Sequence, residues 1–214
     1  TKESVISSVN MMRQEGILAD MFDMSAYIDY SVNKSKQILE NFARLELFII
    51  ETIAESDIQF SYKIINEQAI AQDIPSSIKN IRTLLYFLTI KSYIKKKENR
   101  QIDYDGDRQS GVVQTILCQS KDEIVKKYNK RIDICRFVID RLYKLVQAKP
   151  TEANGTKAPV TFSVVSLLNE YKQQNNNLFQ QQEDTTIDEI EDALLYLSKI
   201  DAMKLEGGFM VLYN

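Results

Sequence analysis

Hydrophobic positions recur with helical spacing in two segments of the chain, which match each other at a constant offset of 109 residues. IKNIRTLLYFLTIKSYIKKK begins at Ile78, and IDEIEDALLYLSKIDAMKLE begins at Ile187. Apolar residues at i, i+3, i+7 and i+10 predict the buried stripe of an amphipathic helix. Both segments then run into β-prone residues, so each copy is predicted to form a helix followed by a hairpin. The predicted stripes are Ile78, Ile81, Leu85 and Leu88 in the first copy and Ile187, Ile190, Leu194 and Leu197 in the second.

The second copy ends in KLEGGFMVLYN, residues 204–214, which has the pattern of a β-hairpin. Gly207 and Gly208 are able to adopt the positive φ angles that a two-residue hairpin turn requires. Apolar residues alternate on both sides of this pair, as they do in half-buried strands. These alternating residues are Met203, Leu205, Phe209, Val211 and Tyr213.

Further helices are predicted upstream of each copy. In the first, the pattern predicts a long helix over KSKQILENFARLELFIIETIAES and a short one over INEQAIAQDI, and Pro75 stands where proline favours the opening of a third. In the second, the pattern predicts a helix over VTFSVVSLLNEYKQ, a polar linker over NNNLFQQQED, and a capping box from Thr185 and Thr186 with Glu189. Three helices followed by a hairpin are typical of the winged helix, whose hairpin is called the wing. The alternative is a pair of helical hairpins with attached β-turns.

Two more helices are predicted outside these units. At the start, VISSVNMMRQEGILAD places Val5, Val9 and Met12 at the positions of the same stripe, which suggests the tail of an earlier winged unit. Between the copies, SKDEIVKKYNKRIDICRFVIDRLYKLVQ predicts one long helix that ends before the linker AKPTEANGTKAP. The predicted inner side of the long helix consists of Ile124, Tyr128, Ile132, Cys135, Val138, Ile139 and Leu142.

The elements together predict a mainly α, α+β fold of tandem winged-helix units, each with three helices and a β-hairpin wing, joined by a long helix. A length of 214 residues with 44% hydrophobic residues suffices for the cores of one large or two small domains. Because position 1 is Thr and the last residue directly follows a predicted strand, we expect a fragment of a longer protein. The predicted segments are an N-terminal helical segment (1–33), a first winged-helix domain (34–119), a connecting helix (120–149) and a second winged-helix domain (150–214).

Composition excludes several kinds of chemistry. Histidine is absent and Cys118 and Cys135 are the only cysteines, so this chain cannot form a four-ligand Cys/His zinc site or a Ser-His-Asp or Cys-His catalytic centre. Both cysteines have apolar neighbours and are predicted to be buried thiols, with a disulfide as the alternative. No apolar run reaches the roughly 18 to 20 residues that cross a bilayer, and the start lacks a signal peptide. We therefore expect a cytoplasmic protein without membrane contact.

Two short motifs resemble ligand sites but lack the required spacing. NGTKAP, around Gly155, does not have the G-x-x-x-x-G-K-[ST] pattern of a phosphate loop. DYDGDR offers Asp103, Asp105 and Asp107, but Gly106 does not fall where a calcium-binding loop needs glycine, so a solvated wing tip is preferred. The chain alone is therefore predicted to be non-catalytic and to hold no cofactor or metal.

Positive charge is concentrated in the centre of the chain, although the whole chain has a net charge of -3. Residues 75–149 hold 17 basic and 8 acidic side chains (net +9), whereas residues 1–74 and 150–214 each carry a net charge of -6. Basic side chains on a third helix and its wing would displace counterions from phosphates, which predicts salt-sensitive binding of duplex or fork DNA. The alternative is that they coat a solvated face or protect a strand edge. The predicted DNA-binding residues are Lys79, Arg82, Lys91, Lys95, Lys96, Lys97 and Arg100.

The third helix of the second copy is acidic instead. It carries Asp188, Glu189, Glu191 and Asp192, where a helix that enters a DNA groove needs the opposite charge. This helix is therefore predicted to stay out of the groove, and its unit to contact a protein, or DNA by the wing alone.

Two stretches resemble a known family. IDEIEDALLYLSKIDAMKLEGGFMVLYN at the end and VNMMRQEGILADMFDMSAYI near the start resemble the region C-terminal to the motor in RecQ-type ATP-dependent DNA helicases of Bacteroidetes-like bacteria. The resemblance extends over most of the chain but includes no motor or zinc motif. It implies winged-helix modules that grip DNA near the fork in repair and recombination, a nucleoid-associated location, and ATP and Mg²⁺ bound by the motor of the parent chain. Lys95, Lys96, Lys97 and Arg100 match the wing that the family uses on DNA, but the wing tip QIDYDGDR lacks the aromatic wedge of some relatives.

Three hypotheses follow from the sequence. The leading one is a non-catalytic, DNA-binding accessory region of a RecQ-like helicase, whose motor domains are its partners in the parent chain. The second is a protein-interaction scaffold built from winged helices. The third is a winged-helix transcription regulator in which residues 120–147 form the dimerisation helix.

Overall fold

The computed structural model describes residues 2–15, 24–27, 32–55, 59–60, 62–97, 113–148, 159–175 and 185–206, and the structural statements below concern these residues. They are mainly helical with two small antiparallel sheets, which confirms the predicted mainly α, α+β class. The helices are α1 (Lys2–Gln14), α2 (Val32–Glu55), α3 (Tyr62–Ala71), α4 (Ile78–Ile90), α5 (Lys121–Gln147), α6 (Val164–Asn175) and α7 (Ile187–Lys199). The strands are β1 (Met24–Tyr27), β2 (Gln59–Phe60), β3 (Ile94–Lys97), β4 (Val113–Leu117), β5 (Pro159–Phe162) and β6 (Lys204–Glu206).

The chain divides into two compact units. The central unit is Gln37–Lys130, and the terminal unit combines Thr1–Lys36 with Arg131–Asn214. The boundaries fall inside α2 and α5, so each of these helices contributes residues to both units. In this division the predicted segments 1–33 and 150–214 belong to the same unit, and the predicted connecting helix is shared.

The central unit combines a three-stranded sheet with α3, α4 and parts of α2 and α5. Its sheet has the order β2-β4-β3, with β4 antiparallel to both neighbours. The register pairs Ile94 with Leu117 and Lys97 with Gln114, which confirms the hairpin that was predicted after the first repeat. Tyr128 of α5 donates a buried hydrogen bond of 2.7 Å to the carbonyl of Ala43 in α2. This bond joins the first and last helices of the unit.

Helix α4 begins later than predicted. Ser77 is the N-cap, and its side chain accepts a 3.1 Å hydrogen bond from the backbone N–H of Asn80. The prediction that Pro75 opens the helix is therefore wrong, because a hydroxyl two residues later satisfies a free N–H group of the first turn. The stripe prediction holds for Ile81, Leu85 and Leu88, which are buried. It is wrong for Ile78, whose side chain is 41% exposed.

The terminal unit builds its sheet from both ends of the sequence. Strand β1 lies in the middle of the order β5-β1-β6 and is antiparallel to both neighbours. The prediction that VTFSVVSLLNEYKQ is entirely helical is wrong, because its first residues belong to β5. Val160 and Thr161 are β-branched and favour the strand, and Ser163 accepts a 3.4 Å hydrogen bond from the N–H of Ser166 at the start of α6. The predicted partner of β6, residues 209–213, lies outside the described residues.

Helix α7 follows its prediction closely. Thr186 and Glu189 form the capping box, with hydrogen bonds of 3.4 Å from the Glu189 N–H to the Thr186 hydroxyl and 2.9 Å from the Thr186 N–H to the Glu189 carboxylate. The four stripe residues of this copy are buried. The first turn of α1 differs, since Val5 is 63% exposed and the prediction that it belongs to a buried stripe is wrong.

The predicted long helix is confirmed as α5, and all seven residues of its predicted inner side are buried. Both cysteines are free thiols. Cys135 is buried as predicted, but the prediction for Cys118 is wrong, because it follows the last residue of β4 and is exposed. No helix in the described part of the chain has the length and apolar character that a membrane crossing needs.

Candidate nucleic-acid interface

The outward face of α4 carries the predicted helical site. Lys79 and Arg82 are both exposed, as sequence analysis proposed. Tyr86 lies on the same stripe, since positions i, i+3 and i+7 share one side of a helix, and this residue is 60% exposed. No acidic residue occurs within α4. The face therefore combines two cations with an accessible aromatic ring.

Arg82 is held by a neighbouring helix. Its guanidinium group lies 5.2 Å from the centre of the Tyr62 ring, at the first residue of α3. A cation over an aromatic face is attracted by the ring quadrupole, which contributes on the order of 0.5–1 kcal/mol at an exposed site. This contact orients Arg82 and leaves its side chain exposed to solvent.

Strand β3 brings Lys95 beside this helix. Ile94 is buried and Lys95 is exposed, as the alternation of a strand requires. Lys96 and Lys97 belong to β3 by their backbone, but their side chains are outside the described part of the structure. Lys91 is half-buried at the C-cap of α4, where its N–H donates a 3.1 Å hydrogen bond to Phe87. Arg100 lies outside the described residues, as do the aspartates of DYDGDR.

Sequence analysis missed a cation that α5 places near β3. The ammonium group of Lys127 lies 5.7 Å from the centre of the Tyr93 ring, directly before β3, and donates a 2.7 Å hydrogen bond to Gln119. Lys126 is also exposed. The available signal was the position of Lys126 and Lys127 between the inner residues Ile124 and Tyr128 of the long helix. The pattern of that helix predicts only a connecting role.

A groove lies near the start of α4. It has a volume of about 250 Å³ and lies against the first half of α2. Its lining carries no ionisable side chain, so it lacks the means to bind a charged group strongly. The lining residues are Ile38, Asn41, Phe42, Leu45, Pro75, Ser76 and Asn80.

The corresponding face of α7 is acidic and in contact with another helix. Asp188 and Glu191 occupy the repeat positions of Lys79 and Arg82. Helix α1 packs against α7, and Asn10 donates a hydrogen bond from its side-chain amide to Asp188. Glu191 is only 5% exposed. This face therefore differs from α4 in charge, and it differs in accessibility at Glu191, since Asp188 is exposed.

A buried polar cluster also occupies the terminal unit. The guanidinium group of Arg131 lies 4.6 Å from the centre of the Tyr196 ring, and both side chains are buried. Their burial assigns them to the core of the unit. Among the described residues, no group of three or more Cys, Asp or Glu side chains is arranged to hold a metal ion.

No protein-family model, curated protein or solved structure matches this chain.

Proposed function

We propose that the chain is a non-catalytic DNA-binding region and that its central unit is a winged helix that contacts duplex or fork DNA. The order of α2, β2, α3, α4 and the β3-β4 hairpin supports this proposal, because it places a short helix pair before the hairpin as a winged helix does. The middle position of β4 in the sheet agrees with the returning strand of a wing. In this arrangement α4 is the helix that approaches DNA.

The observation that carries the proposal is the basic outward face of α4. Lys79 and Arg82 are exposed, α4 contains no acidic residue, and Lys95 is exposed on the adjoining strand. Each lysine or arginine that neutralises a phosphate releases counterions, so binding weakens as salt concentration rises. Removal of one phosphate contact lowers the slope of log K against log salt by about 0.9 for duplex DNA.

We further propose that the parent protein is a RecQ-like ATP-dependent DNA helicase. This part rests on the resemblance of the closing and opening stretches of the sequence. The motor domains of the parent chain would bind ATP and Mg²⁺, and the present chain would hold the duplex near the fork. A cytoplasmic, nucleoid-associated location follows from this role.

Fluorescence anisotropy with labelled duplex, forked and single-stranded DNA at two salt concentrations tests DNA binding. We expect salt-sensitive binding that Lys79→Ala with Arg82→Ala and Lys95→Ala weaken. Lys204→Ala is a matched control, because Lys204 is the repeat counterpart of Lys95, is exposed and forms an ion pair with Glu206 at 2.7 Å. Equal affinity of all variants, or no binding by the unmodified chain, contradicts the proposal.

A protein-interaction scaffold is the second candidate. Large apolar side chains are exposed on α3, where Ile64 and Ile70 are 50% and 54% exposed. Single exposed apolar residues are common on protein surfaces, so these two add less weight than the charge pattern of α4. The scaffold is favoured if the chain does not bind DNA and if Ile64→Ser and Ile70→Ser abolish its binding to a partner protein.

A further inference from the structure

The exposed aromatic ring of α4 distinguishes this surface from a purely electrostatic one. Among the tyrosine side chains that the structure describes, only that of Tyr86 is exposed. Tyr86 follows Arg82 by four residues, so the two side chains are neighbours on the helix surface. Arg82 in turn contacts Tyr62. An accessible ring therefore lies directly beside an oriented cation.

Apart from the two cations, the outward side chains of α4 are poorly suited to the edges of paired bases, since the hydroxyls of Thr83 and Thr89 donate hydrogen bonds to backbone carbonyls of their own helix. A helix that reads the major groove presents hydrogen-bonding side chains to base edges. Here the face that bears Arg82 and Tyr86 also bears Ile78 and Ile90, which are 41% and 45% exposed. Apolar and aromatic side chains match the flat faces of bases instead, and these faces become accessible where the strands are unpaired.

The internal repeat provides an independent comparison. The stripe residues Ile81, Leu85 and Leu88 have an isoleucine and two leucines as their counterparts in α7. At the outward positions, however, Lys79, Arg82 and Tyr86 are replaced by Asp188, Glu191 and Leu195. Among the described parts of the two copies, only α4 therefore combines cations with an aromatic ring on an accessible face.

We infer that the face formed by Lys79, Arg82 and Tyr86 binds an unpaired DNA strand beside a duplex, with a base stacked on Tyr86 and phosphates on the two cations. This inference rests on the proposed DNA-binding function and adds the substrate class. Positive charge that follows the backbone and aromatic rings that accept bases are the two features that single-strand binding sites combine. The polyanionic strand is complementary to the charge of this face.

The test uses the whole chain and two substitutions at one position. Tyr86→Leu removes the ring but keeps an apolar side chain, and it creates the residue type found at the counterpart position in α7. Tyr86→Phe keeps the ring and is the matched control. We expect Tyr86→Leu to weaken binding of single-stranded and forked DNA by about tenfold, within the range known for base stacking, and to leave blunt duplex binding unchanged. Tyr86→Phe retains the affinity of the unmodified chain.

A second measurement reports stacking directly. 2-Aminopurine in one single-stranded arm of a forked DNA loses fluorescence when its base stacks, and the chain contains no tryptophan to interfere with the signal. We expect quenching with the unmodified chain and with Tyr86→Phe, and little quenching with Tyr86→Leu at saturating protein.

The outcomes separate this inference from the function on which it rests. If Tyr86→Leu binds all DNAs like the unmodified chain while Lys79→Ala with Arg82→Ala loses binding, the inference is overturned and the DNA-binding proposal stands. Equal losses on blunt duplex and single strand also overturn the stacking role. If the unmodified chain binds no DNA, the proposed function itself fails. Circular dichroism melting of each variant verifies that the exposed substitutions leave the fold intact.

Discussion

Helices α4 and α7 have nearly the same backbone design but present opposite surfaces. Both contain 13 residues and start at a hydroxyl N-cap, Ser77 or Thr186. Both end in a Schellman motif, in which Ser92 and Asp201 adopt φ angles of 57° and 59° and the next N–H donates back to Leu88 or Leu197. The outward residues differ in charge, size and exposure. The capping residues therefore determine where each helix begins and ends, whereas the outward residues determine which molecules or segments the helix contacts.

The largest expected effect concerns the first residue of each helix. Ile187 is 1% exposed and Ile78 is 41% exposed. Ile187→Ala removes buried methyl groups and leaves a cavity, so we expect the free energy of unfolding to fall by about 2–4 kcal/mol. Ile78→Ala, at the same repeat position, lowers it by less than about 1 kcal/mol. Urea unfolding followed by circular dichroism measures both, and equal losses contradict the difference in burial.

A charge exchange tests the difference in surface. Lys79→Asp with Arg82→Glu gives α4 the outward charges of α7. We expect DNA affinity at low salt to fall on the order of 100-fold, because two attractive charges become repulsive to phosphates. An aspartate in the first turn is favourable to the helix dipole, so folding is preserved. Lys204→Glu serves as the control in anisotropy measurements, and a double variant that binds as tightly as this control contradicts a role for the α4 face.

The N-caps are expected to differ by a smaller amount. Thr186→Ala removes the hydroxyl of a reciprocal capping box and lowers the free energy of unfolding by about 1–2 kcal/mol. Ser77→Ala removes one such hydrogen bond and costs about 1 kcal/mol. Denaturant titration measures the two losses. A larger loss for Ser77→Ala contradicts the stronger cap expected at Thr186.

The smallest effect is expected at the helix ends. Ser92→Gly and Asp201→Gly each raise the free energy of unfolding by up to about 0.5 kcal/mol, because glycine adopts the left-handed conformation without steric cost. Ser198→Gly, inside α7, is the matched control and lowers stability by about 0.5–1 kcal/mol. Thermal melting is sensitive enough for this comparison. Destabilisation by both C-terminal glycines contradicts the interpretation of the helix ends.

Periodicity along the chain predicted the elements whose partners lie nearby. The long helix α5, the inner stripe of α7 and the β3-β4 hairpin were predicted because apolar spacing and β-prone residues indicate them locally. The stripe could not reveal that Ile78 is exposed, since burial of a residue in a first turn depends on what packs there. Tyr86 was missed for a related reason. It lies in the apolar run LLYFL. All its neighbours in sequence are apolar, so they do not distinguish a ring that faces solvent from one that faces the core.

The arrangement of the terminal sheet was not predictable from local pattern. Alternation in KLEGGFMVLYN predicts a partner a few residues away, which lies outside the described residues, and it gives no sign that β6 also pairs with β1 from the opposite end of the sequence. Likewise, the lysines of α5 became candidates only when Lys127 was found near Tyr93. Pairings between distant segments depend on the topology of the whole fold. Topology results from all contacts together, so the pattern of one short segment does not reveal it.

The central position of β1 in its sheet has a consequence for synthesis on the ribosome. The sheet of the central unit lies between Gln59 and Leu117, so it can close while later codons are still being translated. Strand β1, by contrast, is made about 130 residues before its neighbour β5 and about 180 residues before its neighbour β6. At ~5–20 residues per second, β1 spends roughly 7 to 27 seconds without either neighbour. During that interval the nascent chain carries an unpaired strand whose Met24 and Ala26 are destined for the interior, a period in which chaperones would have the most to protect.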